Sequence, residues 1–295
     1  MARAIEQIER DLAALSKAVN GLAAEFSKAY IRYLEILGQA MCQQLMQAIY
    51  QICTQAYPKQ FLSLSFNQRQ QLQQTIRKLS QNAAAQLLVQ LKNTGDRRQE
   101  AEDKGDEGDK EDLEDRELGD YELQHFPSLY GEKELPLGNT NGLPSNFFEP
   151  LELAKWQHKQ EEAIAHTLKT LSLETNRLLQ QVGILPQKLP TPLLEAATTA
   201  SEVAAEMTSG PPNILNLLIE TENHSETEDG ITQLITVQLR LSEIEFSDVN
   251  VRTVRNQIRQ LEAKLNSLGQ EYQKKQRERL VAEAEAAWRV SWFED

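Results

Sequence analysis

The sequence predicts a mainly α protein: an elongated helical hairpin and coiled coil of long helices, with a small β-hairpin near 213–241. Three observations predict it. Ala, Leu, Gln and Glu, which lose little rotamer freedom in a helix, are plentiful, while 295 residues hold only 13 Gly and 10 Pro. Apolar residues recur at alternating steps of three and four near both ends, the spacing of a helix–helix seam. Between residues 213 and 241 the period shortens to two, which is strand periodicity.

The first row runs Ile5, Ile8, Leu12, Leu15, Val19, Leu22, Phe26. Beyond Phe26 the apolar face broadens through Tyr30, Tyr33, Leu34, Leu37, Met41, Leu45, Ile49 and Ile52, as packing against several neighbours requires. A helix from residue 3 to 56 would span ~80 Å, so the segment is rod-like or broken near Gly21 or Gly38. Pro58 ends it. A loop at 58–66 leads to a second helix, with Asn67 as cap and Leu72, Ile76, Leu79, Ala83, Leu87 and Leu91 on its face. The short loop predicts an antiparallel return, making 1–94 an N-terminal helical hairpin.

Residues 95–148 read as an acidic disordered linker. Asp96–Glu134 carries 16 acids and 6 bases, too much charge and too little apolar surface to build a core. Tyr121, Leu123, Phe126, Leu129 and Tyr130 interrupt it and read as a segment folding back onto the helices, before a docking motif. The C-terminal unit, 149–295, opens with Pro150 in a first helical turn, where its missing N–H is harmless. Leu153, Trp156, Ile164, Leu168, Leu171, Leu178 and Val182 carry that helix to Gly183, and an Ala-rich helix is expected from Thr191-Pro192 to Gly210. Leu215, Leu217 and Ile219 then alternate, as do Ile235, Val237, Leu239 and Leu241, around the acidic turn HSETEDG. A terminal helix, 248–290, capped by Ser247 or Asp248, has the seam Val251, Val254, Ile258, Leu261, Leu265, Leu268, Tyr272. A polar stretch, QKKQRERL, separates this seam from the aromatic tip WRVSWFED.

The formal net charge of −13 is concentrated in the linker and in Glu220–Asp229. The helical body is near neutral, so the acidity does not by itself exclude anionic partners. Cys42 and Cys53 lie eleven residues apart in one helical pattern, ~16 Å along the axis, too far for a disulfide; buried thiols in a reducing compartment are expected. The amino-terminal residues have no apolar core of a secretory signal, and no run approaches the ~18 apolar residues of a membrane span.

Candidate chemistry is sparse. His158, Glu162 and His166 share a helix face at i, i+4, i+8, but a di-iron bundle needs a second Glu-x-x-His set and none is present. The polar face of an amphipathic helix explains these residues better, and neither a metal nor a cofactor is expected. From Arg252 to Arg279 eight basic residues face three acids, giving +5 on one helix. Such a helix could track phosphates or anionic headgroups; the charges are not gathered on one face, and a solvated flank is the favoured reading. No P-loop, dinucleotide fingerprint, GxSxG or CxxC is present, so no enzyme and no small-molecule substrate are expected.

The stretch LRLSEIEF (239–246) and the tail QEYQKKQRERLVAEAEAAWRVSWFED (270–295) resemble uncharacterised cyanobacterial coiled-coil proteins that share such an ending. The resemblance implies a cytoplasmic protein of a photosynthetic bacterium and brings no activity with it. The residues together predict a structural or adaptor protein. It would bind protein partners, or itself, through coiled coils formed by Val254, Ile258, Leu261 and Leu265; the tip residues Trp288, Trp292 and Phe293 read first as locking the last turn against the bundle and second as a partner contact, ahead of insertion at a membrane interface. A membrane surface or nucleic acid is the alternative partner, contacted by the basic helix.

Overall fold

The computed structural model describes residues 2–96, 147, 149–186, 211–221 and 230–290. Helix α1 runs from Ala2 to Gln51, 50 residues without interruption, or about 75 Å at the helical rise. It passes straight through both glycines. Gly38 has a packing reason: a Cβ there would stand 2.9 Å from the Cβ of Ala84 on the returning helix. Gly21 meets nothing within 4 Å.

The end of α1 loosens into a π-helical turn over Ile52–Ala56, closed by the Tyr57 N–H donating to the Ile52 carbonyl at 2.8 Å. The expected loop at 58–66 is instead largely a short helix, α2 (Pro58–Ser63), with proline at its start. Ser65, not Asn67, caps α3 (Phe66–Asp96). The Ser65 N–H donates to Gln68 Oε1 at 2.8 Å and the Gln68 N–H donates to Ser65 Oγ at 3.3 Å. This reciprocal capping box satisfies two amides, which a lone Asn cap does not.

Helix α4 (Pro150–Gln181) runs parallel to α1 and ends where Gly183 takes φ +83°, a left-handed stop. Strands β1 (Ile214–Thr221) and β2 (Gly230–Val237) form the expected antiparallel hairpin, registered Ile214 to Val237 and Leu217 to Leu234. The alternation read from the sequence does not extend past Val237. Leu239 lies beyond the strand, and Leu241 opens a short helix, α5 (Leu241–Ser247). Asp248 then caps the final helix, α6 (Val249–Val290), accepting the Asn250 N–H at 2.7 Å and the Val251 N–H at 3.3 Å. Of the linker expected over 95–148, Gly95 and Asp96 belong to α3, and residues 97–146, with the Tyr121–Tyr130 patch, lie outside the described residues, as do the Ala-rich segment 191–210 and the acidic turn 222–229.

One hydrophobic core joins residues from both sides of the linker. Phe26, Tyr30, Leu37 and Leu45 of α1, Ile76 and Leu87 of α3, Leu153 and Leu171 of α4, Leu234 and Val237 of β2, and Val254 and Ile258 of α6 belong to it. α1 is its central pillar, with α3 and α6 antiparallel to it. The ion pairs Lys264–Glu25 (3.7 Å) and Lys275–Asp11 (3.1 Å) mark the α1–α6 register. The two heptad rows at the chain's ends therefore meet each other. Among the described residues, no helix is long and apolar enough to cross a membrane.

Candidate functional site

Three regions carry polar or exposed features beyond simple packing. The first is a largely buried junction of α1, α4, α5 and α6. Tyr30 and Tyr33 stand in the apolar row of α1, fully buried but for the need to satisfy their hydroxyls. Tyr30 donates to Glu161 Oε1 at 2.5 Å and Tyr33 donates to Glu245 Oε1 at 2.6 Å. Arg255 lies between the two carboxylates. Its terminal nitrogens reach Glu161 Oε1 and Oε2 at 2.5 and 2.9 Å, its Nε lies 3.2 Å from Glu245 Oε1, and its guanidinium sits 5.5 Å from the centre of the Tyr33 ring. Gln157 donates to both the Tyr30 hydroxyl (3.2 Å) and Glu262 Oε1 (2.8 Å), extending the network.

Burial, reinforced by the neighbouring carboxylates, raises both tyrosines well above the ordinary phenol range. Burial alone would lower the Arg255 value, but the hydrogen bonds and charge of Glu161, together with Tyr33 and Glu245, hold it above the usual arginine range. Glu262 is raised, first by burial. The junction is thus a fixed cation between two carboxylates, with phenols locked in their neutral form. That arrangement orders four helices. It offers no activated nucleophile: burial likewise pushes the Cys53 thiol up to about 11, making it a poor thiolate.

The second region clamps the hairpin. The Asn176 side-chain amide donates to the Val237 carbonyl (2.8 Å) and accepts the Val237 N–H (2.9 Å), mimicking a neighbouring strand. Ser172 Oγ accepts the Leu239 N–H at 2.9 Å, and the Tyr57 hydroxyl accepts the Ile235 N–H at 3.0 Å. The outer edge of β2 is therefore satisfied by side chains of α4 and of the turn after α1, instead of by a third strand. Asn213, at φ +59°, ties the start of β1 to Arg240, Gln44 and Glu243.

The third region is a two-helix arm. Helix α4 begins beside Gly269 and Asn20: a Cβ on Gly269 would lie 3.7 Å from the Cβ of Pro150, and the Phe147 N–H donates to Asn20 Oδ1 at 2.7 Å. Beyond that level, among the described residues, α1 and α6 continue alone, through residues 2–19 and 270–290. Along α6 that is about 32 Å at the helical rise. The arm's inner seam is thin: Leu12 and Val19 are buried, Ile5, Ile8, Leu15 and Tyr272 only half-buried, and the facing positions of α6 include Lys275, Ala282 and Ala286. Its outer side shows Leu280, Val281 and Trp288, exposed at 60, 50 and 66%. With Ala284, these lie at helical spacing on one face of α6.

The predicted contact residues divide between these places. Val254, Ile258, Leu261 and Leu265 are buried in the chain's own core, at 1, 0, 8 and 4% exposure, and are not free to hold another chain. Trp288 is exposed at the arm's end, while Trp292 and Phe293 lie outside the described residues. His158 meets Glu162 at 3.2 Å on an exposed face, whereas His166 lines a shallow groove with Gln86, Val89 and Gln90. Among the described residues no three His, Cys, Asp or Glu side chains are grouped to hold a metal. Of the eight basic residues between 252 and 279, Arg255, Arg259, Lys264, Lys275 and Arg279 form ion pairs within the chain. The sequence reading missed the tyrosine–carboxylate–arginine junction. It also missed Val281, although Val281, Ala284 and Trp288 continue the three–four spacing. Comparison with known protein families, with curated proteins and with solved structures gave no match for this chain.

Proposed function

We propose that this protein is a non-catalytic structural adaptor of the cytoplasm that engages a helical partner through the outer face of its two-helix arm. The observation that carries this reading is the stripe Leu280, Val281, Ala284, Trp288. It is an exposed apolar face of a long helix, beyond the level at which α4 begins. Tryptophan at such a position is the residue type that most often dominates contact energy once buried. The four-helix body gives the arm a fixed base, because Arg255 and its carboxylates tie α6 to α1, α4 and α5.

The basic face of α6 supports a membrane or nucleic-acid role less well, since most of its cations already have carboxylate partners in the chain. The test is substitution at the stripe. Removing all of 247–295 would destroy the core instead of probing the surface. The triple variant Leu280→Gln, Val281→Gln, Trp288→Gln is expected to keep wild-type helicity and melting temperature and to lose partner capture. Capture that persists unchanged would overturn the reading.

A further inference from the structure

We infer that the contact between α4 and α6 is a proton-sensitive joint near the base of the arm, in which Glu262 takes up a proton on mild acidification and α6 is then held more tightly. The inference goes beyond the adaptor reading and does not depend on it. The geometry of the junction carries it. Glu161 of α4 and Glu245 of α5 both contact the Arg255 guanidinium, and Glu245 also lies 3.7 Å from Arg259. Glu262 is a third carboxylate, half-buried beside them, and it has no share in the cation. Among the described residues its hydrogen-bond partner is the neutral Gln157 amide, at 2.8 Å. That amide supplies a hydrogen bond but no charge.

The charged groups acting on Glu262 are Arg255 and Arg259 of its own helix and Glu161 of α4. From α1 comes the neutral Tyr30 hydroxyl, which shares the Gln157 amide at 3.2 Å, and from α5 comes Glu245, engaged by both arginines. His158 and Glu162 of α4 pair with each other on an exposed face. Burial disfavours the charged form; against the pull of Arg255 and Arg259, and with Glu161 adding to it, burial holds the Glu262 carboxyl above its ordinary 4.5. An ionised Glu262 therefore weakens the folded state at neutral pH. As pH falls through the folded value the deficit shrinks, and below 4.5 it is gone. Glu262 lies about 12 Å along α6 from Gln270, where the arm begins, and Gln157 lies two turns from Pro150, which faces Gly269. Proton uptake thus acts close to where α6 leaves the four-helix body.

The test is a nuclear magnetic resonance titration of the full chain, labelled on the side-chain carboxyl carbon of glutamate, with Glu262→Gln identifying the Glu262 signal. Urea unfolding of the wild type, Glu262→Gln and Glu271→Gln is followed over the same pH range. Glu271, exposed on the same helix, controls for the loss of one charge from an acidic chain. Glu262 is expected to titrate above 4.5. Glu262→Gln is expected to unfold at higher urea than the wild type at neutral pH, with a gap that closes as pH falls toward 4.5, and Glu271→Gln is expected to show no such gap. A Glu262 carboxyl titrating at or below 4.5 overturns the inference. So does a gap that is absent at neutral pH, that persists unchanged into acid, or that Glu271→Gln reproduces. A Glu262→Gln chain that fails to fold overturns it as well, because a neutral side chain at that position is expected to stabilise.

Discussion

Replacing Arg255 with methionine tests whether the polar junction holds the helices together. The substitution keeps a flexible apolar side chain in place and removes only the cation. Glu161 is then left with the Tyr30 hydroxyl and its charge uncompensated, and Glu245 with the Tyr33 hydroxyl and the longer, 3.7 Å pair to the more exposed Arg259. Breaking a buried ion pair by deleting one partner costs ~3–5 kcal/mol. Here the arginine side chain is 15% exposed and the two carboxylates 21 and 13%, so water reaches the rim and the low end applies. We expect Arg255→Met to lose about 3 kcal/mol of unfolding free energy, read from urea denaturation followed by far-UV circular dichroism. The triple variant Arg255→Met, Glu161→Gln, Glu245→Gln removes all three charges together and is expected to lose less than the single variant. A loss below about 1 kcal/mol for Arg255→Met, the range of an exposed pair, would refute the reasoning. So would a triple variant less stable than the single one.

Three further outcomes follow from particular contacts. Tyr30 and Tyr33 titrate far above the unfolded value of 10.0, so above pH 10 the unfolded chain releases protons that the folded chain keeps. Stability then falls with rising pH by about 1.4 kcal/mol per pH unit for each tyrosine, and Tyr33→Phe removes one such contribution from the alkaline slope of an unfolding series. Gly38→Ala forces a Cβ within 2.9 Å of Ala84 and is expected to lower the melting temperature, whereas Gly21→Ala, with nothing within 4 Å, is expected to gain about 0.4–1 kcal/mol. Asn176→Ala strips both the N–H and the carbonyl of buried Val237 of their partner, at about 1–3 kcal/mol for each group left unsatisfied. Limited proteolysis is expected to cut that variant first in the hairpin.

Much of the fold was legible because its periodicities are strong. The heptad row from Val251 to Leu265, the broad face from Phe26 to Ile52 and the two short alternating runs correspond to α6, α1 and the β-hairpin. A heptad row specifies that a helix will be held and not which helix holds it. That Ile258 would be buried within the chain, with α6 lying along α1, depended on register over more than 200 residues. The buried polar residues were illegible for a different reason. Ser172, Thr175 and Asn176 look in sequence like a solvated flank of α4, and only the arrival of β2 gives Ser172 and Asn176 backbone partners. Likewise Glu161, Glu245 and Arg255 are ordinary surface residues by composition. They become a junction only when three helices and the α5 turn converge on Tyr30 and Tyr33. The exposed stripe was half legible: Trp288 stood out by its rarity, but the meaning of Val281 depends on what the described residues leave uncovered.

The most direct test of the division of α6 into a half held in the core and an exposed half, on which the adaptor proposal rests, is amide hydrogen exchange of the full chain. The expected result is slow exchange at 251–265, set by the core, and faster exchange at 280–290. Exchange at 251–265 as fast as at 280–290 would contradict it.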